Sequence, residues 1–187
     1  MLRKVRIILL VQAALACLMP LTLSAQNLLT NPGFEKPAAG VAPGTLVAYT
    51  DFCEAGSSAA AVWSVFVNSC GTDISTELVP STAPEGGKYM IHVVTTGNAN
   101  GIVYCCFANQ TTTLSSIWVY VNSGCIGMGT GDGGDTANTD EMTCEPGAWI
   151  QFKAPNGVSP ANEFIVYSVI TPGADFYVDN ARVVAAP

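Results

Sequence analysis

The 187-residue chain has one histidine, seven lysines and arginines, and only 11% charged residues. Histidine-assisted nucleophilic catalysis would depend on His92, which sits between Ile91 and Val93 and reads as a strand residue. Three of the seven bases (Arg3, Lys4, Arg6) precede an uncharged aliphatic stretch, so the remaining chain carries four bases against 14 acids. That balance argues against nucleic acid, whose affinity rests on lysine and arginine neutralising phosphates. It also argues against electrostatic docking on anionic membranes, and leaves too few bases for a lyase acting on uronic acids. No Cys-x-x-Cys pair is present, which removes the usual zinc frames. No acid motif falls on one strand in the way that glycoside hydrolysis needs. Internal repeats, charge blocks and amphipathic helical windows are all missing. Disorder is excluded in turn, because aromatic and β-branched residues are plentiful.

The mean hydropathy of +0.36 is inflated by the first 25 residues. Met1–Arg6 is basic, Ile7 to about Leu18 is apolar, and Leu23-Ser24-Ala25 is a small-residue cleavage site before Gln26. This is the pattern of a secretory signal over 1–25, leaving a domain over 26–187. An uncleaved anchor and lipid attachment at Cys17 are the alternatives. Six cysteines remain beyond the leader: Cys53, Cys70, Cys105, Cys106, Cys125 and Cys144. An even number in an exported domain reads as disulfides, with 15 possible pairings. Cys125 with Cys144 closes one loop, and Cys53 with Cys70 brackets another. Cys105 and Cys106 are adjacent in a strand, so alternation sends them to opposite faces and disfavours a bond between them.

Hydrophobic periodicity is two throughout. Strands are predicted over Val62–Asn68, Ile74–Val79, Lys88–Thr95, Ile102–Ala108, Leu114–Asn122, Ala148–Lys153, Phe164–Ile170 and Asp175–Val184. Each is rich in residues that suit a pleated, half-buried surface, and Gly, Pro, Asn and Asp clusters separate them. The predicted fold is all-β: a single jelly-roll β-sandwich of about eight or nine antiparallel strands. The run from Gly127 to Glu141 lacks EF-hand spacing and has no Gly-Lys-Ser/Thr for phosphate. It reads as a long surface loop closed by Cys125 and Cys144, able to rim a cleft or take a second cation.

The two ends carry a frame. Asn27-Leu28-Leu29-Thr30-Asn31-Pro32-Gly33-Phe34-Glu35 opens it and Phe176-Tyr177-Val178-Asp179-Asn180-Ala181-Arg182-Val183 closes it. Gly87-Lys88-Tyr89, Gly101-Ile102-Val103-Tyr104 and Ser116-Ile117-Trp118-Val119-Tyr120-Val121 lie between. The frame resembles the carbohydrate-binding-module superfamily of galactose-binding-like jelly rolls, the cellulose- and xylan-binding type. The resemblance implies a secreted, non-catalytic module that binds a polysaccharide or cell-surface glycan. A structural or adhesive surface protein on the same fold is the alternative. Cys105-Cys106 departs from relatives that carry a polar residue there. The resemblance further implies a structural calcium held by Glu35 and Asp179, with carbonyl oxygens near Gly87 and Lys88; two solvated acids are the alternative. Trp118 and Tyr120 alternate with Ile117, Val119 and Val121. If the aliphatic side is the core, the two rings form an outward platform for a sugar, which Tyr104 and Tyr167 could join from neighbouring strands. Asn109, Gln110 and Asn122 could bond hydroxyls. The alternative places Trp118 in the core, with Ile117 facing out.

Overall fold

The computed structural model describes residues 26–132, 137–155 and 160–186; the expected leader, 1–25, lies outside them. Twelve strands follow in order: β1 Val47–Phe52, β2 Ala55–Ser57, β3 Ser64–Phe66, β4 Thr72–Pro80, β5 Tyr89–Thr95, β6 Gly101–Gln110, β7 Thr113–Ser123, β8 Ile126–Gly131, β9 Ala137–Thr143, β10 Trp149–Pro155, β11 Ala161–Ser168 and β12 Asp175–Ala185. They form two six-stranded antiparallel sheets, ordered β1-β4-β5-β12-β7-β10 and β2-β3-β6-β11-β8-β9. Each predicted strand is present. The four unforeseen ones are β1, β2, β8 and β9.

Alternation decides what each sheet buries. On β7, Ile117, Val119 and Val121 are buried while Ser116, Trp118 and Tyr120 are half-buried. On β12, Phe176 and Val178 point inward and Tyr177 outward. The second sheet supplies Ile102, Ile126, Met128, Phe164 and Val166 to the same core. Trp63 plugs one part of it, with its ring centroid 4.8 Å from Phe34 and 5.5 Å from Tyr104. Side chains of this size contribute about 1.5–3 kcal/mol each on full burial.

The opening segment runs beside β12 without forming a ladder strand. Leu28 N donates to Val183 O at 2.7 Å, and Ala181 N donates to Pro32 O at 2.8 Å. Asn27 clasps the same strand, its amide donating to Ala181 O and its oxygen accepting Val183 N.

The glycine-rich run is corrected by the structure. All six residues of β8 are buried, and β8 pairs with β9, so the described part of the expected surface loop over Gly127–Glu141 is mostly sheet, while 133–136 lie outside the described residues. Ile126, Met128 and Thr130 face one way, while Gly127, Gly129 and Gly131 stand opposite Tyr167, Ile165 and Glu163 of β11. The missing Cβ atoms leave room for those larger neighbours.

Three disulfides are formed: Cys53–Cys70, Cys125–Cys144 and Cys105–Cys106. The first two match the expected pairs. The third overturns the expectation that adjacent cysteines face apart. Between Cys105 and Gln110, β6 advances five residues while β11 advances only two, from Glu163 to Ala161. In that bulge strict alternation lapses, and both cysteines lie exposed on the same side.

Candidate functional site: an aromatic row across one sheet

The register of the first sheet builds the site. Tyr120 on β7 stands directly opposite Trp149 on β10 and Tyr177 on β12. Tyr177 stands opposite His92 on β5, and His92 opposite Glu77 on β4. All five belong to the outer face, since their strand neighbours Val119, Val121, Phe176, Val178, Ile91, Val93 and Leu78 are buried in the core. Neighbouring strands lie about 4.8 Å apart, so the four rings extend about 14 Å across the sheet.

The rings touch one another. His92 stacks on Tyr177 at 4.4 Å between centroids and 19° between planes. Tyr120 meets Tyr177 edge-on at 6.1 Å and Trp149 at 5.6 Å. These are favourable aromatic geometries. At one end Asp175 Oδ1 accepts from His92 Nε2 and from Asn122 Nδ2, each at 2.8 Å. Polar and carboxylate groups therefore stand beside an otherwise apolar strip.

Trp118 lies on the same face, one outward position further along β7, between Gln151 of β10 and Asp179 of β12. It is not a core plug, because Ile117 occupies the inward position with no exposure. Its indole N–H is covered and has no acceptor among the described residues.

Four of the expected residues, two of them rings, do not join this face. Tyr104 belongs to β6 in the second sheet and is buried in the core. Its hydroxyl meets Thr30 Oγ1 at 3.0 Å and accepts Thr30 N at 3.2 Å. Tyr167 is on β11, also in the second sheet, with its ring 6.4 Å from Phe66. Asn109 and Gln110 lie on β6 as well, whereas Asn122 does reach the aromatic row. Trp149, Tyr177 and His92 take the places expected for the two tyrosines. The signal that could have found Tyr177 and His92 is their alternation with core residues, but only the strand order brings them to Tyr120.

Glu35 and Asp179 converge at another corner. Asp179 is fully buried, and its carboxylate accepts from Ser81 Oγ at 2.5 Å and from Asn180 N at 2.6 Å. Burial pushes its pKa up to about 6, and the nearby charge of Glu35 pushes in the same direction. Glu35 Oε1 accepts Tyr89 N at 3.2 Å. A Cβ at Gly86 would press on the buried Asp179 Oδ2, and one at Gly87 would displace the exposed Glu35 carboxylate from its present position. Two close carboxylates, one wholly desolvated, make a donor set that fits a hard divalent cation.

No family model matches the sequence, and no curated protein matches it. Solved structures do share its fold. The xylan-binding module from Xyn10C of Paenibacillus barcinonensis is 14% identical, aligns over 87% of this chain and 97% of its own, and gives a TM-score of 0.50. The module TmCBM61, solved with β-1,4-galactotriose, is 13% identical over 87% of this chain and 100% of its own, with a TM-score of 0.50. The K2 cleaved adhesin domain of Lys-gingipain is 8% identical over 76% of this chain and 99% of its own, again with a TM-score of 0.50. The chain therefore has the jelly-roll β-sandwich fold of carbohydrate-binding modules.

Proposed function

We propose that the protein binds a polysaccharide, outside the cytoplasm and without catalysing a reaction, on the outer face of the first sheet. The observation that carries this reading is the unbroken row Trp149–Tyr120–Tyr177–His92, set in direct register across four strands. A pyranose ring presents C–H groups on its faces and hydroxyls on its rim. Aromatic faces match the former, and Asp175, Asn122, Glu77 and Gln151 match the latter. Strips of this composition are the usual makeup of small-molecule recognition surfaces, mostly apolar with a few placed polar groups. The sugar-binding neighbours lend support through their fold. Three disulfides and the basic-apolar start of the chain support export.

The same reading includes a structural calcium at Glu35 and Asp179. A cation there would offset the desolvation of Asp179 and tie the opening segment to β12. The adhesin neighbour supports the second reading, a surface adhesive that uses the sandwich without a sugar.

Affinity electrophoresis in soluble polysaccharides tests the proposal. Xylan, galactan and mixed-linkage glucan form the panel, with calcium and with chelator. Tyr120→Ala and Trp118→Ala should lose retardation by the bound polysaccharide while melting close to wild type. A wild-type protein retarded by none of the panel, yet retained on cell surfaces, would favour the adhesive reading.

A further inference from the structure

Residues 26–187 contain four basic side chains: Lys36, Lys88, Lys153 and Arg182. Two of them line one cavity of about 500 Å³, on the same sheet face as the aromatic row. Lys153 of β10 and Arg182 of β12 stand on either side of Ser116 of β7, each in direct register with it. Both are exposed, and Leu114, Pro155 and Val184 supply the apolar lining. In a chain so acidic, this pairing gathers half of the available positive charge at one spot.

The cavity continues the aromatic face. Tyr120, Trp118 and Ser116 are successive outward positions of β7, so the cationic pair lies about 13 Å along the strand from the ring row, with Trp118 between. A β-bulge makes the arrangement possible. Tyr177 and Arg182 are an odd number of residues apart, so an unbroken strand would point them to opposite faces. Asp179 pairs with Trp118 and Arg182 with Ser116, so β12 advances three residues while β7 advances two. That extra residue re-aims Arg182 to the outer face, the kind of effect for which bulges are kept next to functional sites. Among the described residues, Glu141 of β9 accepts the backbone N–H of Lys153.

We infer that the polysaccharide bound by this face is anionic, its acidic group seated between Lys153 and Arg182 while neighbouring sugars stack on Trp118 and Tyr120. The inference rests on the proposed sugar-binding reading and names its ligand class. Carboxylates and sulfate esters share the chemistry required. An ammonium and a guanidinium flanking a hydroxyl accept either, and the guanidinium does so in bidentate fashion.

Affinities should be measured for glucuronoxylan and its carboxyl-reduced form, and for dextran sulfate beside dextran, at two salt concentrations. Wild type should prefer an acidic polymer to its neutral partner, and the preference should shrink with salt. The glucuronoxylan pair responding alone identifies a carboxylate, and the dextran pair alone a sulfate. The double variant Lys153→Gln, Arg182→Gln should lose about three- to tenfold in affinity for the acidic polymer, the range expected of two exposed charge contacts. It should keep wild-type affinity for the neutral one. Lys36→Gln, away from this face, should change neither. Equal binding of acidic and neutral partners, or a preference untouched by the double variant, would overturn the inference and leave sugar binding standing. Binding to no polymer of either kind would overturn both.

Discussion

The two outer faces of the sandwich obey the same alternation and differ in what they display. Both sheets send Val, Ile and Phe into one core. Outward, the first sheet carries Trp149, Tyr120, Trp118, Tyr177 and His92. Among the described residues, the second carries the single ring pair Tyr167–Phe66 and the bonded pair Cys105–Cys106 in a bulge, beside the buried Gly127, Gly129 and Gly131 of β8. Folding requires only that outward positions tolerate an extended backbone. It does not require five rings on one side against two on the other. The contrast separates what holds the sandwich together from what it presents, and it is the observation behind the recognition surface proposed on the first sheet.

Mutations on either side of a single strand should break that contrast most sharply. Phe176→Ala removes a fully buried ring and should cost about 3–5 kcal/mol of stability, seen as a large fall in melting temperature. Its neighbour Tyr177→Ala should change stability far less and abolish polysaccharide binding. Severing Cys125–Cys144, which spans 19 residues beside the second sheet, should cost about 3 kcal/mol in the chain-entropy view and leave affinity unaltered. Non-reducing peptide mapping and thermal melts would check this.

Calcium should act on stability, not recognition. A ligand that binds only the folded state adds about 2.7 kcal/mol at a hundredfold excess over its Kd. Chelator should therefore lower the melting temperature, and Asp179→Asn should remove that response. The pH dependence has a definite sign. Asp179 ionises less readily in the fold, near 6 against an ordinary 3.8. It favours the folded state below pH 4, and that support is lost as pH rises through about 6. In chelator the melting temperature should fall across that window, and saturating calcium should suppress the fall. The smallest effect is expected on the second face. Tyr167→Ala should shift stability modestly and affinity not at all.

Much of this architecture was legible in the sequence because the core strands announce themselves. Ile117-Trp118-Val119-Tyr120-Val121 states its own inside and outside, and Trp118 and Tyr120 lie where that alternation puts them. The hairpin β8–β9 was hidden because glycine has no side chain to register in a hydrophobic pattern, although Ile126, Met128 and Thr130 keep period two. The vicinal disulfide was hidden because alternation holds only in an unbroken strand, and the bulge in β6 depends on its pairing with β11. The expectation that Tyr104 and Tyr167 join Trp118 fails because a sequence carries strand identity but not strand order. That order, set by packing among distant segments, seats Tyr177 and His92 beside Tyr120 and sends the other two tyrosines to the opposite sheet.

The proposed recognition surface is the ring row of the first sheet. Calorimetric titration of one bound polysaccharide into wild type, Tyr177→Ala and Tyr167→Ala, each confirmed folded by its melt, tests it most directly. Tyr177→Ala should give no measurable heat of binding, and Tyr167→Ala should bind with wild-type affinity. Undiminished binding by Tyr177→Ala, with loss in Tyr167→Ala, would contradict it and move the site to the other face.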